Sequence, residues 1–226
     1  MLKTLVWKES RELLPLVAFA LLVQFYFVAA PANLQYLLML SPVRLVEPPQ
    51  VIPFVSDAVS SALFAVAGLF AIAVGLWQTM WESSRGTFQF LLHRPARRGA
   101  FFAAKLAIGI ALCLLVTCLP LVFYALWAAT PGNHASPFRW SMTSWAWQLC
   151  LQLPLVYLAA FLSGLRPARL WGSRFFPLTA GLLGLLAMEV LAAGLNLPLV
   201  AMIAGLALET VFVLVILYVA ATRDYS

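Results

Sequence analysis

Apolar residues fill this chain in six long blocks, at about 13–31, 57–80, 100–128, 144–164, 175–194 and 198–221. Each block reaches the ~20 mainly apolar residues with which a helix crosses a bilayer. Polar or proline-marked breaks separate them: Ser41-Pro42, Glu47-Pro48-Pro49, Arg94-Pro95, Pro131-Gly132-Asn133, Arg166-Pro167 and Asn196-Leu197-Pro198. The last break is short, so the fifth and sixth spans are expected to form a tight hairpin. Ala67, Ala71 and Gly75 recur at i, i+4 on the second span, and Ala201 and Gly205 do so on the sixth. Small residues at that spacing let helix backbones approach closely in lipid.

Composition excludes a soluble domain. The 226 residues are 64% hydrophobic and 10% charged, with a mean hydropathy of +0.96. Soluble domains run near 45–50% apolar and about 25% charged. Disorder is excluded by the same figures, since it requires low hydrophobicity. The expected fold class is therefore all-α: a polytopic membrane protein of six transmembrane helices forming one domain over residues 1–226.

The net charge of +6 reads as topology before it reads as nucleic-acid binding, because lysine and arginine concentrate in cytoplasmic loops. With six spans, Lys3, Lys8, Arg11, Arg85, Arg94, Arg97, Arg98, Lys105, Arg166, Arg169, Arg174 and Arg223 fall on one side, against Arg44 and Arg139 on the other. That 12-to-2 partition of the 14 basic residues predicts cytoplasmic termini. The tryptophans agree: Trp77, Trp81 and Trp171 fall at inner boundaries, and Trp127, Trp140, Trp145 and Trp147 at outer ones. The first span is expected to be retained rather than cleaved as a signal, because Glu9 and Glu12 interrupt its basic flank. Cys113, Cys118 and Cys150 lie in apolar runs, away from any CxxC pair or histidine, and read as buried small hydrophobes.

Two segments outside the spans carry structure of their own. In residues 2–14, Leu2, Leu5, Val6, Glu9 and Leu13 share one side of a helix. Residues 1–12 then read either as a short amphipathic helix in the inner interface or as a plain charged flank that fixes topology. The loop from Trp81 to Arg98 is longer and greasier than a crossing requires, with Phe88, Phe90, Leu91 and Leu92 set among four arginines. Gly86-Thr87 can open a helix there and Pro95 closes it, since the residue before proline disfavours the α region. Such a knob docks another protein or lies on the membrane.

Glu82-x-x-x-Gly86-Thr87, followed by Leu91-Leu92, Pro95, a basic residue at Arg97 or Arg98 and Lys105, resembles the signature of ABC transporter permeases of the ABC-2 type. Trp7-Lys8-Glu9-x-Arg11-Glu12 and Arg223-Asp224-Tyr225 are similar to that family's ends, and Gln89 stands where members often carry an acid. The resemblance covers essentially the whole chain. It implies that 82–98 is a cytoplasmic coupling helix docking on a separate ABC-type ATPase subunit. Glu82 and Arg85 would orient that helix and Phe88 to Leu92 would insert, within the set Glu82, Arg85, Gly86, Thr87, Phe88, Phe90, Leu91, Leu92, Pro95 and Arg97. It further implies a homodimer or a pairing with a related permease, residence in the cell's inner (plasma) membrane, and export of a lipophilic or other small cargo. ATP and magnesium would be bound by the partner.

The chain itself contains no Gly-x-x-x-x-Gly-Lys-[Ser/Thr] phosphate loop, no His-Glu-x-x-His and no Gly-x-Ser-x-Gly, which argues against an enzyme or a nucleotide-binding domain. Two carboxylates, Glu189 and Glu209, fall inside spans, and the hairpin is expected to place both in the outward half, near each other. An ionised group at membrane depth costs at least a few kcal/mol, so such residues face a cavity or a partner. They line a cargo or proton route, or they are protonated struts between helices; Gln24, Gln78, Gln148 and Gln152 raise the same question. A secondary transporter or channel built on the two glutamates, and a non-transporting membrane scaffold, stand as alternative readings.

Overall fold

The computed structural model describes residues 2–29, 52–55, 58–81, 98–131, 133, 137–166 and 171–222. Six long helices account for nearly all of them: α1 Leu2–Ala29, α2 Ala58–Leu76, α3 Arg98–Ala129, α4 Ser144–Leu165, α5 Trp171–Glu189 and α6 Pro198–Thr222. A π-helical turn, Trp77–Trp81, continues α2, and another, Val190–Gly194, continues α5; a 3-10 turn, Trp140–Thr143, leads into α4. Each helix is long and apolar enough to cross a membrane, over Trp7–Ala29, Ala58–Trp81, Phe101–Ala129, Trp140–Leu165, Ser173–Gly194 and Pro198–Thr222. The protein is a multi-pass helical membrane protein. α1 runs without a break from Leu2, so the N-terminal segment, read from sequence as an interfacial helix or a plain charged flank, forms the opening turns of the first span's own helix.

Helix α4 is the axis of the bundle. It packs against α2, α3, α5 and α6, while α1 lies against α2 and α3. Burial over α4's membrane window is 89%, against 17% for α5 and 22% for α1 and α6. Every residue from Gln152 to Leu165 is buried, the all-round pattern of a helix enclosed by others. Helix α4 therefore has little lipid contact, whereas α1, α5 and α6 present broad apolar faces outward.

Small residues set the closest approaches. Ala67, Ala71 and Gly75 form the buried face of α2, as their spacing predicts. A Cβ on Gly75 would stand 2.7 Å from the Tyr157 carbonyl oxygen and 2.8 Å from the Phe161 nitrogen, so the α2 and α4 backbones are nearly in contact. Ala201 and Gly205 are buried in the same way on α6, where Gly205 faces Gln152. Helix α5 is tied to α4 at its proline: the N–H of Leu178, which follows Pro177, donates to Ser163 Oγ at 2.9 Å.

The α5–α6 connection is the expected tight hairpin. Asn196 adopts a left-handed φ of 55°. The Leu197 N–H reaches back to the Leu191 carbonyl at 3.0 Å, and Leu195 to Val190 at 3.0 Å. A left-handed residue with a long-range return bond satisfies the last carbonyls of a helix. Pro198 then opens α6 at the position where a missing N–H costs nothing.

Candidate functional site: a buried polar network beside the 82–97 loop

All ten residues expected to form the coupling helix, Glu82, Arg85, Gly86, Thr87, Phe88, Phe90, Leu91, Leu92, Pro95 and Arg97, lie outside the described residues. What the structure does describe is the pair of shoulders carrying that loop: the π turn at the end of α2 and the start of α3.

Between those shoulders lies a closed polar cluster. Helix α1 buries one stripe, Glu9, Leu13, Val17, Ala20, Gln24 and Val28, at steps of three and four. Glu9 thus points inward with the apolar residues and is only 2% exposed. On α3, Lys105 shares the inward face with Phe102, Leu106 and Gly109 and is 0% exposed. Lys105 Nζ lies 3.0 Å from Glu9 Oε1. The ammonium also donates to the Gln78 carbonyl at 3.3 Å and sits 5.3 Å from the Phe101 ring centroid.

The π turn supplies the third corner. A π turn inserts one residue into the helical register, and here Gln78 and Thr79 are its two buried members. Gln78 Nε2 donates to Glu9 Oε2 at 3.5 Å, and Gln78 Oε1 accepts from the Tyr157 hydroxyl at 2.7 Å. Tyr157 also donates to the Lys105 carbonyl, at 3.3 Å. Two glycines make this geometry possible: any side chain at Gly109 would collide with the Tyr157 ring, and any at Gly164 with Thr79. Four helices, α1 to α4, are therefore joined by one buried network at the end of the bundle where the 82–97 loop is attached.

In the sequence Lys105 reads as a topology-fixing residue and as part of the permease-like signature, and Glu9 as part of a family-like N-terminus on one side of a helix; neither has a partner there. The structure pairs them. Tyr157 was not singled out at all. The available signals were that Glu9 stands one turn before Leu13 and that Lys105 lies amid an unbroken apolar run.

Glu189 and Glu209 are not brought together. Trp145 Nε1 donates to Glu189 Oε2 at 2.8 Å, while the Glu209 carboxyl lies against the backbone of Leu155. Those anchors are ten residues apart on α4, about 15 Å along the helix axis. Gln152 Nε2 reaches the Ala201 carbonyl and Gln24 Nε2 the Leu63 carbonyl, each at 3.5 Å. Among the described residues no group of three His, Cys, Asp or Glu could hold a metal ion. Cys113, Cys118 and Cys150 are free thiols.

Comparison with known protein families, with curated proteins and with solved structures found no match.

Proposed function

We propose that the chain is the membrane-spanning permease subunit of an ATP-binding cassette transporter, and that it exports a lipophilic or other small cargo. A separate ABC-type ATPase subunit hydrolyses ATP with its own magnesium; this chain is mechanically active and catalyses nothing. It works in the cell's inner membrane as a homodimer or beside a related permease. Glu82 and Arg85 orient the coupling helix, and Phe88, Phe90, Leu91 and Leu92 enter the ATPase groove.

The observation that carries this reading is the Glu9–Lys105 ion pair with Gln78. It joins the opening turns of α1, the start of α3 and the π turn leading into residue 82. A push on 82–97 would pass to three helices at once through a buried, satisfied network, and through Tyr157 to the central α4. A loop serving only to cross back would need no such anchorage. A secondary transporter using Glu189 and Glu209 would transport without ATP and without the loop.

The test replaces Phe90 and Leu91 together with aspartate. The reading expects the variant to fold and to lose co-purification of a P-loop ATPase; an unchanged complex would refute the docking role.

A further inference from the structure

Trp145, Gln148, Gln152 and Leu155 follow one another at i, i+3, i+7 and i+10 on α4, and so lie on one face of that helix. Helices α5 and α6 cover this face. Trp145 holds Glu189 of α5, Gln152 meets Ala201 and Gly205 of α6, and Leu155 meets Glu209 of α6. Four polar atoms on this stripe are buried without a partner: Glu189 Oε1, Gln148 Nε2, Gln152 Oε1 and Glu209 Oε1. Gln152 as a whole is only 2% exposed. Each such atom left unmet costs about 1–3 kcal/mol, so a column of four requires an occupant.

The chemistry of that occupant is set by the atoms. Three of the four are acceptors and one is a donor, which favours a species rich in hydrogens. Neighbouring positions are one helical turn apart, about 5 Å, a separation that single water molecules bridge. Depth adds a second constraint. Glu189 is near the end of its span, followed by five residues of the π turn Val190–Gly194, whereas Glu209 is the twelfth of the 25 residues of α6 and so sits at mid-membrane. A carboxylate there is relieved by taking a proton.

We infer that this stripe is a proton-access path: water molecules ordered by Glu189, Gln148 and Gln152 lead from the end of the bundle bearing Trp140 and Leu197 to a proton-binding carboxyl at Glu209. Proton binding is a simple transfer from the water file to the Glu209 carboxylate, with the charge replaced from bulk solvent at the Glu189 end. Among the described side chains, the helices packed on α6 carry Lys105, Cys113, Cys118 and Tyr124 on α3, Cys150 and Tyr157 on α4, and Arg174 and Glu189 on α5. Of these groups only Glu189 lies on the stripe, and Lys105 is held by Glu9. The inference stands apart from the permease proposal, because it concerns the chain without any ATPase.

The test uses the full chain alone, in sealed vesicles of known orientation, with the carboxyl C=O stretch followed by infrared spectroscopy while each side is acidified in turn. Acidifying the side of Trp140 and Leu197 is expected to bring up a protonated-carboxyl band that is lost in Glu209→Gln and delayed in Gln152→Leu. Helix content and elution volume of both variants report their folding. A band that survives Glu209→Gln, that answers only to the opposite side, or that fails to appear would overturn the inference. If Glu209→Gln fails to fold, the sidedness of the wild-type band and its delay in Gln152→Leu still decide.

Discussion

Lys105 Nζ and Glu9 Oε1 meet at 3.0 Å inside the bundle, with both side chains withdrawn from solvent. Removing one member of such a pair leaves an uncompensated buried charge, while replacing both with apolar groups can be nearly neutral. Glu9→Gln or Lys105→Met alone is therefore expected to destabilise the protein by about 3–5 kcal/mol. The double variant Glu9→Leu/Lys105→Met should lose much less. Thermal unfolding in detergent for the three variants checks this; a double variant as unstable as the sum of the singles would contradict it.

Glycine positions separate close approach from helix propensity. Gly75→Ala sets a methyl carbon 2.7 Å from a backbone oxygen of α4, so the α2–α4 contact must open. The expected cost is about 1–3 kcal/mol, as for other overpacked sites. Gly68 lies in the same helix and a Cβ there would meet nothing within 4 Å. Gly68→Ala should therefore gain about 0.5–1 kcal/mol from helix propensity alone. Midpoint temperatures measured side by side must move in opposite directions.

The Trp145 indole N–H donates to Glu189 Oε2 at 2.8 Å and so links the start of α4 to the end of α5. Trp145→Phe keeps a ring against Phe64, which it meets edge-on with centroids 5.4 Å apart, but removes the donor. The loss should be about 1–3 kcal/mol. In the background of Glu189→Leu the same change should cost less, because no acceptor is left stranded. A double-mutant cycle on unfolding free energy reads the difference.

The hairpin depends on the left-handed backbone of Asn196. Asn196→Gly should preserve it. Asn196→Val should destabilise by about 1–2 kcal/mol, since a β-branched residue resists that conformation. Protease sensitivity at 195–197 should rise for the valine variant and not for the glycine variant.

These contrasts also mark what the sequence could convey. The six spans were legible because a bilayer demands length and apolarity that no other environment tolerates, and the hairpin because Asn196-Leu197-Pro198 carries both a left-handed cap and a helix start. The packing faces of Ala67, Ala71 and Gly75 and of Ala201 and Gly205 were legible from periodicity. The polar network was not. A lysine near a span end ordinarily marks the cytoplasmic side, so nothing in Lys105 alone announced a partner on α1. The π turn at Trp77–Trp81 arises from one extra residue in the helical register, which no residue pattern announces. The two glutamates were recognisable as buried carboxylates, but their separation depends on which turn of α4 each one meets, and pattern does not encode that.

The central claim is that the apolar, arginine-bearing loop after α2 receives force from an external motor. A photo-activatable residue at Leu91, cross-linked in intact cells and identified by mass spectrometry, tests it directly. The account predicts capture of a protein bearing a P-loop nucleotide site, with the yield changing when cellular ATP is depleted. Adducts to lipid alone, or to no nucleotide-hydrolysing protein, would contradict it.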